Sequence, residues 1–344
     1  MTTVRHLVPR PIRLAASRFL ARRRSASLQA DLDAMAARPA PIVAGPWLGE
    51  VGFELLYWVP FLRWCAECVD VDPDRLVVVS RGGTGSWYRP FAARYADVFD
   101  QVSAETFRDQ HDARVRELGE QKQTRVTAFD RQLVEAAMRG SRATDWSLLH
   151  PSRMYDVLNP FWWGHQSSEW VSGHVRYAKL PQPPASGIPD LPPRYVAVKF
   201  YFNDCFPATD RNRAFAGEVL RTLASRGPVV ALSTGLNIDD HGGVRVDEYG
   251  VRHLPEGITP SRNLQVQSAI VARAEAFVGT YGGFSYMAPF YGVKSLAFYS
   301  DPNGFSRKHL DMARAAFEII GSGGMLDIRD SKNGVGGHLM ETLS

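Results

Sequence analysis

Four short apolar runs in the second half of the chain constrain its fold more than any other feature. They are YVAVKF (195–200), PVVAL (228–232), AFVGTY (276–281) and KSLAFYS (294–300). Apolar residues occupy successive positions in each run, so these strands must bury both faces. Helical patterns separate them: RAFAGEVLRTLASRG (213–227), which closes on Gly227, then NLQVQSAIVARAE (263–275) and the short FSYMAPFYG (284–292). Strands buried on both faces and alternating with helices predict a parallel, doubly wound α/β sheet. Ligands in such sheets bind beyond the carboxyl ends of the strands.

The first half follows the same logic. A strand at 41–44 leads into a helix at 51–68, and RLVVVS (75–80) is a strand ending in the loop RGGTGSWY (81–88). The stretch 150–170 is aromatic-rich and reads as irregular. Six prolines in AKLPQPPASGIPDLPPR (178–194) mark a stiff connector. The expected organisation is therefore a basic arm (1–38), an N-terminal Rossmann-like domain (39–177), the Pro-rich linker (178–194) and a C-terminal Rossmann-like domain (195–344). A cleft is expected between the two domains.

Composition narrows the classes. A chain of 344 residues with 45% apolar and 22% charged content is long enough for two globular domains. No apolar run reaches the eighteen or so residues of a spanning helix. Three cysteines make no disulfide framework and point to a reducing cytoplasm. Cys65 and Cys68 form CxxC late in a helix, without a second pair to complete a zinc site, and read as core or helix-surface residues. The first thirty residues hold seven arginines and no acid, whereas the remainder carries 33 basic and 36 acidic residues. A basic arm on a mildly acidic body argues against nucleic acid as a partner. IRLAASRFLARRR suits either a solvated tail or the surface of an anionic membrane, which would make the protein cytoplasmic and peripheral on the inner face.

Two stretches carry candidate chemistry. In GTYGGFSYMAPFYG (279–292) a strand ends at Thr280 or Tyr281, Gly282 and Gly283 turn, and a helix begins with Ser285 and Tyr286 in its first turn. Backbone N–H groups at such a start attract an anion. Lys199 ends the preceding strand, and Arg211 and Arg213 stand in the loop FNDCFPATDRNR (202–213), a basic element suited to a diphosphate. The other stretch, GPWLGEVGFELLYWVPFLRW (45–64), puts Glu50 and Glu54 where a strand hands over to a core helix. The DxD spacing within 70–74 precedes a strand and serves as a turn, DDHGG (239–243) reads as a surface loop, and no metal or cofactor is expected. GxSxG, P-loop and GxGxxG signatures are missing from the sequence.

The 274–300 stretch resembles the nucleotide-sugar half of GT-B glycosyltransferases, particularly the ADP-heptose:lipopolysaccharide heptosyltransferase type. Gly279, Gly283, Ser285, Ala288 and Gly292 fall at corresponding places, while Tyr281 and Tyr286 replace that family's Asp and His. WLGEVGFELLYWVPFL resembles the family's Leu-Gly-Asp loop, with Glu50 at the position of the acid. The resemblance implies a GT-B-like fold and transfer of a sugar from a nucleotide-diphosphate sugar to a glycan or lipid-linked acceptor, inverting and metal-independent. Glu50 is the first choice of general base and Glu54, which also suits a helix-capping role, the second. The donor would meet Lys199, Arg211, Arg213, Thr280, Tyr281, Gly282, Gly283, Ser285 and Tyr286. The acceptor side would comprise Gly49, Arg81, Trp87, Tyr88, Trp162 and Trp163. A polysaccharide pyruvyl transferase-like enzyme and a non-catalytic nucleotide-sugar or glycan binder remain as alternatives.

Overall fold

The computed structural model describes residues 9–119, 121–139, 141, 143–185, 188, 190–236, 238 and 250–334. Strands β1 (Ile42–Ala44), β2 (Leu76–Ser80), β3 (Arg94–Asp97) and β4 (Ser147–Leu149) form a parallel sheet in the order β3-β2-β1-β4. A second parallel sheet, β6-β5-β7-β8-β9, is built from β5 (Val196–Lys199), β6 (Val229–Ala231), β7 (Ala276–Thr280), β8 (Lys294–Tyr299) and β9 (Leu326–Asp330). The helices are α1 (Arg10–Ala37), α2 (Val51–Phe53), α3 (Val59–Cys68), α4 (Gly85–Tyr88), α5 (Ala104–Leu118), α6 (Ala128–Met138), α7 (Pro151–Trp162), α8 (Ser168–Ser172), α9 (Asp210–Ala224), α10 (Asn263–Val271), α11 (Gly283–Phe290) and α12 (Arg307–Ile319). DDHGG lies outside the described residues.

Alternation along the first sheet shows why it is wound on both sides. Val43, Val77 and Val79 point into one apolar cluster with Phe107 of α5 and Leu133 and Val134 of α6. Ile42, Ala44, Leu76 and Val78 join the other, with Leu55, Trp58 and Leu62. That second cluster does not stop at the first sheet. It continues through Tyr195, Phe277, Tyr281, Tyr286 and Phe317, so the two α/β units meet along a shared apolar core. Each fully buried large side chain there contributes roughly 1.5–3 kcal/mol.

Prolines explain two local departures. A π-helical turn, Glu54–Trp58, bridges α2 and α3. Pro60 has no N–H for the Leu56 carbonyl, and the Tyr177 hydroxyl takes that carbonyl at 3.1 Å. The 150–170 stretch is helical as α7 and α8, a correction to its irregular reading. Pro151 fills the first helical position, and His150 Nδ1 accepts from Ser152 N at 3.1 Å. Pro160 frees the Asp156 carbonyl, which accepts from Arg24 of α1 at 3.4 Å. The basic arm is largely α1, a 28-residue helix packed on α7. Arg211 and Arg213 stand in the first turn of α9, not in a loop, because the Thr209 hydroxyl caps that helix at Asn212 N.

Candidate functional site

In each sheet the strand order reverses at one place, between β1 and β4 in the first and between β5 and β7 in the second. Crevices for ligands open at such points, beyond the carboxyl ends. The first reversal is followed by the loop carrying Gly49 and Glu50, the second by the Gly282-Gly283 turn. These two places touch. A Cβ built on Gly283 would lie 2.6 Å from Gly52 N, and one on Gly52 would lie 3.0 Å from Gly283 Cα. Only glycine lets the start of α2 meet the start of α11 this closely.

The Leu-Gly-Glu loop is held by side chains. Leu48 N donates to Gln123 Oε1 at 2.8 Å, and Gln123 Nε2 returns a bond to the Pro46 carbonyl at 2.8 Å. Arg81, buried, donates to the Gly49 carbonyl at 2.8 Å. Arg81 and Gly49 thus build the loop together. Glu50 ends it as an exposed carboxylate at the N-cap of α2, without a side-chain capping bond.

Glu54 is the carboxyl taken out of water. It is 0% exposed, and it points under β2 instead of capping the helix. Its Oε1 accepts from Ser80 Oγ and from the Tyr88 hydroxyl, both at 2.5 Å. Its Oε2 has no partner among the described residues. Burial pushes this carboxyl up to about 7, against the Ser80 and Tyr88 hydrogen bonds and the Arg81 charge. Nearby Asp97 is also raised by burial, to about 6. Its Oδ2 accepts from Gly83 N at 2.6 Å and from the Tyr95 hydroxyl at 2.8 Å.

On the other side of the contact, the expected donor turn is filled by the protein's own groups. Thr280 Oγ1 donates to the Tyr201 carbonyl at 2.8 Å and accepts from Tyr201 N at 3.0 Å. A Cβ on Gly282 would fall 2.0 Å from the Tyr201 hydroxyl. Ser285 Oγ donates to the Gly282 carbonyl at 2.7 Å, closing the first turn of α11. The hydroxyls of Tyr281 and Tyr286, both buried, are 2.5 Å apart. Lys199 Nζ donates to Gln267 Oε1 at 2.6 Å and sits 3.5 Å from the Phe284 ring centroid. Arg213 stacks over Phe202 at 4.5 Å. Arg211 instead lines a cavity of about 420 Å³ with Asn212, Asp301 and Lys332.

The residues expected on the acceptor side divide. Trp87 and Tyr88 are buried, Trp87 donating across the units to the Tyr291 hydroxyl at 2.9 Å. Trp163 is 64% exposed. Trp162 joins a ring cluster at the seam with Phe53, Tyr57 and His309, and Lys122 Nζ lies 5.0 Å from its ring. Tyr57 OH and His309 Nδ1 are 2.6 Å apart. Burial, helped by Lys122 and Lys308, lowers His309 to about 4, so its ring is neutral near pH 7. Tyr201, Lys122 and His309 carry no motif and were not legible as site residues. Among the described residues no three His, Cys, Asp or Glu side chains converge on a metal-sized site.

No family model matches the chain, and no curated protein matches it. Solved structures that it matches include heptosyltransferases and other glycosyltransferases. E. coli heptosyltransferase WaaC with ADP aligns at 13% identity and a TM-score of 0.44, over 89% of this chain and 100% of that one. A glycosyl transferase of family 9 from Veillonella parvula aligns at 11% identity and 0.43, over 87% and 88%. The iron-containing dodecameric glycosyltransferase TibC from enterotoxigenic E. coli aligns at 11% and 0.40, over 76% of this chain and 58% of that one. At these identities and TM-scores none assigns an activity to this chain.

Proposed function

We propose that this chain is a glycosyltransferase that moves a sugar from a nucleotide-diphosphate sugar to a hydroxyl of a glycan or lipid-linked acceptor, with inversion and without a metal. One observation carries the reading: the crevice loops of the two sheets face each other, with Glu50 on one and the α11 N-terminus on the other. The acceptor oxygen attacks the anomeric carbon while the bond to the diphosphate oxygen breaks. Glu50, exposed at the edge of this contact, takes the acceptor proton. The leaving diphosphate gathers negative charge, which the start of α11 and Lys199 offset. Glu54 is enclosed by Ser80, Tyr88 and Thr84 and serves the fold of the loop, not the proton transfer.

Because Gly52 and Tyr201 occupy the space around the turn, a donor enters only if the units part there. A thermal-shift screen with ADP-, GDP-, UDP- and TDP-sugars, followed by product assay with the best binder, tests the reading. Glu50→Gln should lower turnover about 10²–10⁴-fold while leaving donor affinity within a few-fold. Full activity in that variant would remove Glu50 from the role. Stabilisation by phosphoenolpyruvate and by no nucleotide sugar would favour pyruvyl transfer instead.

A further inference from the structure

We infer that α1 is a docking surface for an anionic lipid bilayer, lying flat on it along the face turned away from the protein. This holds whether or not the chain transfers sugar. The helix has two apolar sides. Ala21, Leu28 and Leu32 are buried at 0–2% exposure against the N-terminal unit, which fixes the inner side. At 100° per residue, Ile12, Phe19 and Ala26 fall on the opposite side. Ile12 is 58% and Phe19 61% exposed, and Leu20, about 100° round the helix from Phe19, is 52% exposed. Large apolar side chains held in water in such a stripe mark an interaction surface.

Its flanks decide the partner. At 100° per residue Arg22 borders the stripe on one side and Arg23 on the other, both exposed, with Arg23 over the Phe19 ring at 5.9 Å, while Arg18 and Arg24 stand farther round and donate to the His165 and Asp156 carbonyls. No acid occurs before Asp31. An apolar strip rimmed by arginines matches the boundary between acyl chains and anionic headgroups, into which such a face sinks about 5–10 Å. The surface is rigid, because polar bonds tie α1 down: Ser17 Oγ lies 2.7 Å from His165 Nδ1, and Ser25 Oγ lies 2.7 Å from His174 Nε2. The first of these contacts brings the α7–α8 connection, with exposed Trp163, beside the same end of the helix. Indole rings favour the headgroup level of a bilayer. No helix is long and apolar enough to cross a membrane among the described residues, so the contact is one of surface.

The test is sedimentation of the full chain with vesicles of phosphatidylcholine containing phosphatidylglycerol, beside phosphatidylcholine alone. The protein should pellet with the anionic vesicles, and added salt should release it. Arg22→Gln with Arg23→Gln should weaken partitioning about 25-fold, at about fivefold per arginine. Ile12→Ser with Phe19→Ser should weaken it at least about tenfold. All four side chains are exposed, so both variants should keep the wild-type thermal melt. Equal binding to neutral and anionic vesicles would overturn the proposal, as would wild-type binding by both variants. So would a wild-type dimer on gel filtration that Ile12→Ser with Phe19→Ser dissociates without changing vesicle binding, since the stripe would then cover a second copy.

Discussion

Glu54 and Asp130 are both 0% exposed within the same α/β unit, yet their surroundings drive them in opposite directions. Asp130 meets cationic and backbone partners. Arg114 donates to Oδ1 at 2.6 Å, Thr127 N to Oδ2 at 2.7 Å, and the His150 ring faces it at 3.4 Å. Burial opposes its charge, but His150, Arg114 and Thr127 outweigh that and hold it at about 2. Glu54 receives only hydroxyl donors and rises to about 7. Burial alone therefore does not set the ionisation of a carboxyl. The nature of what is buried with it does.

Removing the Asp130 charge should have the larger effect. Asp130→Asn leaves Arg114 buried without its counter-charge and loosens Gln123, which donates to both Asp130 and the Pro46 carbonyl. The expected loss is about 3–5 kcal/mol in urea unfolding at pH 7. A loss below about 1 kcal/mol would mean that Arg114 finds another partner. In the wild type, the depressed Asp130 contributes stability above its ordinary value near 3.8, and this is lost as pH falls through about 2.

Glu54 has the opposite sign. Its raised carboxyl contributes fully below its ordinary 4.5, and the contribution is lost as pH rises through about 7. Stability should fall by about 3 kcal/mol from this group between pH 4.5 and 8, with Asp97 adding to the same trend between its ordinary 3.8 and about 6. Glu54→Gln should flatten that part of the curve. An unchanged pH slope in the variant would show that Glu54 stays ionised in the fold. A smaller effect sharpens the contrast. Tyr88→Phe removes one hydroxyl from Glu54 Oε1 at a cost of about 1–2 kcal/mol. It should also move the midpoint of the slope above that of the wild type, because the Tyr88 hydrogen bond lowers this group. A midpoint that moves down would reverse the assignment.

What the sequence disclosed follows from locality. β5, β7 and β8 are uninterrupted apolar runs bounded by turn residues, and their positions are legible to within a residue or two. β3 reads RYAD with an exposed first residue, and β9 reads LDIRD, so these edge strands give little apolar signal. α1 hides because its apolar residues stand on opposite sides, and α7 hides behind two prolines that sit at its first position and in its last turn. The glycine turn and the Leu-Gly-Glu loop were legible as motifs. That Tyr201 fills the first, or that Gln123 braces the second, rests on contacts 75 or more positions apart. No local pattern encodes such contacts. The two acids of the 45–64 stretch were legible as a pair, but not which one faces water. That rests on Ser80 and Tyr88, which hold Glu54 from 26 and 34 positions away.

The Gly52–Gly283 contact makes the spacing of the two halves a matter of single carbon atoms. A methyl group is the thinnest shim that side-chain chemistry offers, and this joint has no slack for one at either position. At Gly283 the added carbon would press on a backbone nitrogen at 2.6 Å; at Gly52 it would meet a Cα at 3.0 Å. The two positions therefore act as gauges of unequal thickness at one seam, by which the halves can be propped ajar in graded steps without replacing any charged or polar side chain.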